Sequence, residues 1–374
     1  MKIRIVLTGM VSMVVAMGLG RFALTPQVPH MLAEGYVDLT QASLLAASNF
    51  LGYLLGAIEL TAAKDHRHMI LRMKTGLWAS GIILLLSAFI PNHPWGFYLN
   101  LLLRFAAGVA SAWALILVTT WVQHELIEHH SLRTIAFAGP GVGIFVSGLL
   151  AIGFDIWHTN ASENWFIYGL VAIVAGALIV RNLPKALPQS SSEERFPFTP
   201  KIYLLIGIYV LAAIGYVLPA TFLSKLAVDK FPGSLIADIF WPLFGFAVII
   251  GMAILARQKN IKRPQKGLAI TFCIQGLGIL SSIFLPGITG LFAGALLVGG
   301  TFMAIMQLML QLGVSLAPRH IRTLTGLLTI GFAIGQFIGP LLSAASTHYL
   351  SSMTPALCIA ALGSLMASIL ISFV

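Results

Sequence analysis

Residues 181–201, RNLPKALPQSSSEERFPFTPK, form the longest polar stretch in a chain that is otherwise almost continuously apolar, and their position divides it. Several prolines, a serine run and mixed charge suit a linker between structured parts. Six apolar runs precede it, near 5–30, 40–62, 70–91, 95–122, 132–154 and 165–182. Six follow it, near 202–223, 234–256, 267–286, 288–312, 322–347 and 352–374. Runs of about 18 to 28 residues cross about 30 Å of hydrocarbon as helices. A chain that is 58% hydrophobic and 9% charged, with mean hydropathy +0.93, lies far from the composition of soluble domains. The expected fold is therefore an all-α integral membrane protein with twelve transmembrane helices, arranged as a six-helix half at 1–182, a cytoplasmic linker at 183–201 and a six-helix half at 202–374.

The charge balance supports this count. Of the 22 Lys and Arg residues, all but Lys225, Lys230, Arg21 and Arg104 fall in connections on one side once twelve spans are threaded. By the positive-inside rule that side is cytoplasmic, with both termini on it. The net charge of +10 thus marks a membrane orientation and not a nucleic-acid surface. The first run is too long for a signal peptide and lacks a small-residue cleavage site, so it is read as the first helix. Cys273 and Cys358 lie in separate apolar runs and indicate neither a disulfide framework nor a metal site.

The halves also look alike. One constant offset matches Gly139, Gly143, Phe145, Leu149 and Leu150 of the fifth run to Gly331, Gly335, Phe337, Leu341 and Leu342 of the eleventh, and Gly108 of the fourth to Gly300 of the tenth. Two repeats related by an axis along the membrane normal are a known transporter plan, with the solute site near the bilayer midplane.

Two arginines, Arg21 and Arg104, sit inside spanning runs, each roughly nine residues or about 14 Å from the outer end, where a charge is costly. Arg21 lies in Gly20-Arg21-Phe22-Ala23-Leu24-Thr25-Pro26-Gln27-Val28-Pro29. Each proline disturbs the carbonyl four residues earlier, so a kink is expected at Phe22 and Thr25, with Arg21 and Thr25 turned into a wet cavity. A purely structural tie between Arg21 and a neighbouring carbonyl is the alternative. Arg104, Gly108 and Ser111 share one helix face by spacing.

The Arg104-to-Gly108 pattern in a run of small residues resembles the fourth helix of the major facilitator superfamily. There the arginine is associated with the central cavity and with proton transfer. Gly139-Pro140-Gly141-Val142-Gly143 resembles part of the superfamily's antiporter motif, although Ile144 replaces the second terminal glycine and the upstream glycine is missing. Lys64-Asp65-His66-Arg67-His68 resembles a degenerate form of its basic gating motif. More narrowly, Gly20-Arg21-Phe22, Asn49-Phe50-Leu51-Gly52-Tyr53-Leu54-Leu55-Gly56, Gly215-Tyr216, Ala220-Thr221-Phe222-Leu223 and Gly335-Gln336-Phe337-Ile338-Gly339-Pro340 resemble the YbfB/YjiJ-like branch.

In the superfamily plan helices 1, 4, 7 and 10 line the cavity and 2, 5, 8 and 11 flank it. The polar faces that fit are Asn49 with Tyr53; Tyr209 with Tyr216; Asp238 with Trp241 and Gly245; Gly300 with Gln307 and Gln311; and Thr325 with Thr329 and Gln336. The substrate-binding candidates are therefore Arg21, Thr25, Asn49, Tyr53, Arg104, Ser111, Tyr209, Tyr216, Trp241, Gln307, Gln311 and Gln336; any of these polar groups could equally join helices. Glu59, near Lys64, and Asp238 are the spanning carboxylates that could carry a coupled proton, with Arg104 a third candidate, while both carboxylates also read as helix-end residues near water.

The expected function is secondary active transport of a small organic, anionic or carboxylate-bearing solute across a bacterial cytoplasmic membrane. It would be proton-coupled and tilted toward export, by a monomer without cofactor or nucleic-acid partner. A uniporter, a multidrug carrier and a siderophore carrier are alternatives on the same fold. His124-Glu125-Leu126-Ile127-Glu128 begins like the H-E-x-x-H helix of zinc proteases, but Glu128 stands where the second histidine belongs, which disfavours an intramembrane metalloprotease. No phosphate-cradling loop of the ATPase type occurs, which disfavours a primary pump.

Overall fold

The computed structural model describes residues 2–63, 68–187, 196–231, 235–258 and 263–374. In chain order the helices are α1 (Lys2–Met13), α2 (Leu24–Ala33), α3 (Leu39–Ala62), α4 (Met69–Ser87), α5 (Pro94–Glu125), α6 (His130–Ala136), α7 (Gly139–Trp157), α8 (Ala161–Ile179), α9 (Pro200–Lys230), α10 (Leu235–Arg257), α11 (Pro264–Phe284), α12 (Gly287–Leu316), α13 (Ile321–Leu350) and α14 (Thr354–Leu370). Among the described residues twelve stretches are long and apolar enough to cross a membrane, which makes the chain a multi-pass membrane protein.

Local chemistry sets the helix ends. Asp38 accepts from the Gln41 backbone N–H at 2.7 Å while the Gln41 side chain accepts from the Asp38 N–H at 3.0 Å, a reciprocal cap that starts α3. Asn160 and Glu163 do the same for α8. Proline opens α5, α9 and α11, where its missing N–H is harmless. Between α11 and α12 the chain turns at Pro286 and Gly287, the glycine at φ 63°, a left-handed conformation that a side chain would strain.

The first span loses regular α geometry over a longer stretch than the prolines alone suggest: Val14–Leu19 forms a π-helical segment, and Gly20–Ala23 is a turn that includes the expected Phe22, whose carbonyl accepts from the Thr25 N–H at 3.2 Å. There the Gly20 N–H donates to Val15 O at 2.8 Å and the Phe22 N–H to Met17 O at 3.1 Å, five residues back in each case. Pro26 falls in the first turn of α2, where it removes no bond the helix needs, so only Pro29 lies inside a helix. The widened turn coincides with a backbone contact, because a Cβ on Gly18 would lie 2.5 Å from the Cα of Gly143. The fifth span is interrupted as well, with α6 and α7 separated by a turn at Phe137 and Ala138 just before Gly139-Pro140.

Two compact units, Met1–Gln189 and Ser190–Val374, make up the chain. In the first, a Cβ on Gly139 would lie 2.3 Å from Met10 O and one on Gly143 2.4 Å from Gly18 Cα, so α7 lies directly on the first span. In the second, Gly331 would meet Ile206 at 2.9 Å and Gly335 would meet Val210 O at 2.3 Å, so α13 lies likewise on α9. Gly108 places α5 on α3, and its counterpart Gly300 faces Ala247 of α10. Residues matched by the constant sequence offset thus lie between the same pair of spans in each unit, the packing of a pseudo-repeat.

Candidate functional site

Arg21 directly follows the π-helical segment and is 4% exposed. Its guanidinium carbon lies 4.0 Å from the centroid of the Tyr53 ring, 5.0 Å from that of Phe50 and 5.7 Å from that of Phe22. Desolvated cation–π contacts of this kind contribute about 2 kcal/mol each. One helical turn before Tyr53, Asn49 is 2% exposed, and neither end of its amide has a hydrogen-bond partner. A buried amide left in this state carries a desolvation cost that a solute or water relieves. Thr25, one turn beyond Arg21, is half-buried. Gln27 is fully buried; its Nε2 donates to Ala161 O at 2.9 Å while its Oε1 has no partner.

Arg104 is fully buried in a different setting. It donates to the Ser87 hydroxyl at the end of α4, and its guanidinium carbon lies 4.6 Å from the Trp165 centroid on α8. It therefore ties α4, α5 and α8 together inside the first unit. Spacing puts Gly108 on the same face, yet Gly108 meets α3, where a Cβ would lie 2.1 Å from Asn49 O. The Ser111 hydroxyl turns back onto Gly108 O at 2.8 Å.

The two carboxylates differ too. Glu59 accepts from Arg72 at 2.6 Å through one oxygen and from the Trp113 indole N–H at 2.8 Å through the other. Its expected neighbour Lys64 lies, with the rest of the gating-like residues 64–67, outside the described residues. Asp238 is half-buried in the first turn of α10.

In the second unit the predicted Tyr209, Tyr216 and Trp241 belong to a buried aromatic cluster. Tyr216 stacks on Phe302 with centroids 3.9 Å apart and planes within 10°. Phe332 lies 4.9 Å from Tyr209 and 6.0 Å from Tyr216, and Trp241 stacks on Phe244 at 6.0 Å. Gln307 is fully buried with both ends of its amide unpartnered, and Gln311 Oε1 and Thr325 Oγ1 also lack partners. The Thr329 hydroxyl returns to Thr325 O at 2.7 Å, and Gln336 is fully buried. Phe50, Ser87, Trp165, Phe244, Phe302 and Phe332 went unrecognised in the sequence, since an aromatic in an apolar run carries no signal until a partner helix is placed beside it.

Comparison with known proteins agrees with this architecture. The family model described as uncharacterised MFS-type transporter YbfB matches residues 13–372. A Bacillus subtilis (strain 168) protein described as uncharacterized MFS-type transporter YceJ is 25% identical over 349 residues, covering 88% of this chain and 85% of that protein. The crystal structure of the human organic anion transporter MFSD10 (TETRAN) superposes with a TM-score of 0.70 at 14% identity, over 99% of this chain and 98% of that one, a likeness of fold. With twelve spans in two like-built units and a family match over nearly its whole length, the chain belongs to the YbfB family of MFS-type transporters.

Proposed function

We propose that this transporter moves a small organic solute bearing a carboxylate or another anionic group across the bacterial cytoplasmic membrane, by alternating access of residues 1–182 and 202–374. It works as a monomer, is proton-coupled and runs in the direction of export. The observation that carries the reading is Arg21: a permanently charged fork, almost wholly buried and backed by Tyr53 and Phe50, one turn of α3 from the unpartnered amide of Asn49. The rings hold the cation in place by cation–π attraction, and the guanidinium N–H fork matches the two oxygens of an acid group. The charged loops support an inner-membrane orientation with both termini in the cytoplasm. The human neighbour is an organic anion transporter, which accords with this cargo, although the cargo is argued from the residues of this chain.

A second reading, a carrier of bulkier aromatic solutes of the multidrug type, is favoured by the cluster around Tyr216, where flat rings already stack. Both are tested by a ligand-stabilisation screen of the purified protein with acids, sugars, siderophores and amphipathic drugs, followed by counterflow in proteoliposomes. Saturable counterflow of an acidic hit that Arg21→Ala abolishes is the expected result. Acidic solutes carried equally by the wild type and Arg21→Ala would overturn the assignment, and saturation by neutral aromatic solutes alone would support the second reading.

A further inference from the structure

Arg133 lies in α6, just before the break in the fifth span, and is 5% exposed. Its guanidinium makes no hydrogen bond, ion pair or ring contact with any described residue; its Nε is wholly buried, while its two terminal nitrogens keep some solvent access. Two more buried polar side chains share this state. Thr134 Oγ1 has no partner, and Gln123 of α5 has none at either end of its amide. The helices that carry them converge: α6 packs on both α1 and α5, and a Cβ on Gly9 of α1 would lie 2.5 Å from Val122 and 3.9 Å from Ala136. Val122 adjoins Gln123, and Ala136 lies one turn beyond Arg133 on the same helix face.

Such an arrangement is costly unless something completes it. An arginine does not escape by deprotonation, and a largely buried charge with no counter-ion is unfavourable. Interrupted helix at membrane depth is retained where it is enclosed by protein or lines a wet cavity. We infer that Arg133, Gln123 and Thr134 form a second anion-binding station, distinct from Arg21, which takes the acid group of the solute on the side that the loop charges assign to the cytoplasm. It rests on the proposed anionic cargo only in naming the solute as its ligand.

The chemistry is specific. The guanidinium fork accepts a carboxylate or phosphate through paired N–H bonds, and the Thr134 hydroxyl and the Gln123 amide N–H groups donate to the remaining lone pairs. The Gln123 oxygen then needs a donor from the ligand. Because both ends of that amide are unpartnered, the need holds whichever way it is turned. An acid with a neighbouring hydroxyl or amine satisfies all three residues. The constant offset between the units matches Arg133 to Thr325, whose buried Oγ1 is likewise unpartnered but carries no charge, so the anion site belongs to the first unit alone.

The test titrates succinate, malate and inorganic phosphate into the purified full-length wild type, Arg133→Gln, Arg21→Gln and Gln123→Leu, followed by calorimetry and thermal unfolding. Arg21→Gln should lose part of the wild-type anion response and retain the rest, and Arg133→Gln should weaken the response by about tenfold or more. Malate should bind more tightly than succinate, and Gln123→Leu should level the two. Without ligand, Arg133→Gln should unfold at a higher temperature than the wild type, because it removes an unpaired buried charge; this also shows that the variant is folded. Phosphate binding lost in Arg133→Gln, with no response to the dicarboxylates, would support the station and assign it a phosphate-bearing solute. Unchanged anion affinity in Arg133→Gln, a lower unfolding temperature for that variant without ligand, or a wild type indifferent to all three anions overturns the inference. Loss in Arg133→Gln with Arg21→Gln unaffected would sink the Arg21 assignment instead and leave this station standing.

Discussion

Gly108→Ala is the sharpest test of how the Arg21 site is held. A Cβ at position 108 would lie 2.1 Å from Asn49 O, 2.6 Å from Tyr53 N and 3.0 Å from Gly52 C, and all three are backbone atoms of α3. Real Cβ atoms essentially never come closer than 3.0 Å, so α3 and α5 must part by about 1 Å at this point. A gap of that size forfeits roughly a quarter to a half of the dispersion energy of the contacts it opens, and overpacking of this kind costs about 1–3 kcal/mol. The displaced segment carries Asn49 and Tyr53, so Arg21 loses its backing ring with it. Gly207→Ala is the matched control: its Cβ would meet nothing within 4 Å, and helix propensity favours alanine by up to about 1 kcal/mol. Both variants gain the same helix propensity, so their thermal unfolding in detergent should differ by the overpacking cost, about 1–3 kcal/mol, with solute counterflow impaired in Gly108→Ala alone. Equal stability of the two variants would refute the backbone-contact account of α3 and α5.

Other perturbations address single contacts. Ser87→Ala removes the acceptor of buried Arg104 and should destabilise the protein by about 1.5–3 kcal/mol in thermal unfolding; a negligible change would mean that Arg104 is held elsewhere. Arg21→Lys keeps the charge and loses the planar fork, so counterflow should survive with KM for an acidic solute raised about tenfold or more, and an unchanged KM would count against bidentate recognition by the guanidinium. Both oxygens of Glu59 are already engaged by Arg72 and Trp113, so Glu59→Gln should cost less than about 1 kcal/mol and spare accumulation driven by a pH gradient, whereas Asp238→Asn should abolish accumulation and spare counterflow. Accumulation lost in Glu59→Gln and kept in Asp238→Asn would exchange the roles of the two carboxylates.

The membrane fold was legible in the sequence because its rules are local. Hydrocarbon thickness sets how long an apolar run must be, loop charge sets orientation, and a polar proline- and serine-rich stretch such as 181–201 has no place inside a bilayer. Pairing Gly139 with Gly331 and Gly143 with Gly335 also needed no coordinates, because close helix approach restricts those positions to the smallest residue. The first span shows where local rules stop. Pro26 and Pro29 pointed to a break at Phe22 and Thr25, and the turn at Gly20–Ala23 includes Phe22, but the π-helical segment at Val14–Leu19 lies beside the contact of Gly18 with Gly143, more than a hundred residues away in sequence. Arg21 and Arg104 look alike as buried charges in apolar runs, and only packing separates them. One is backed by the rings of Tyr53 and Phe50 beside an unpartnered amide, and the other is tied between Ser87 and Trp165. Arg133 read as one more basic residue at a helix end until the folded unit buried it. The sequence alone determined the number of spans, their expected orientation and the repeat, because each follows from residue type and spacing along one helix. Which buried polar groups meet a partner and which do not was decided by tertiary structure alone, because a partner is a matter of distance between helices far apart in the chain.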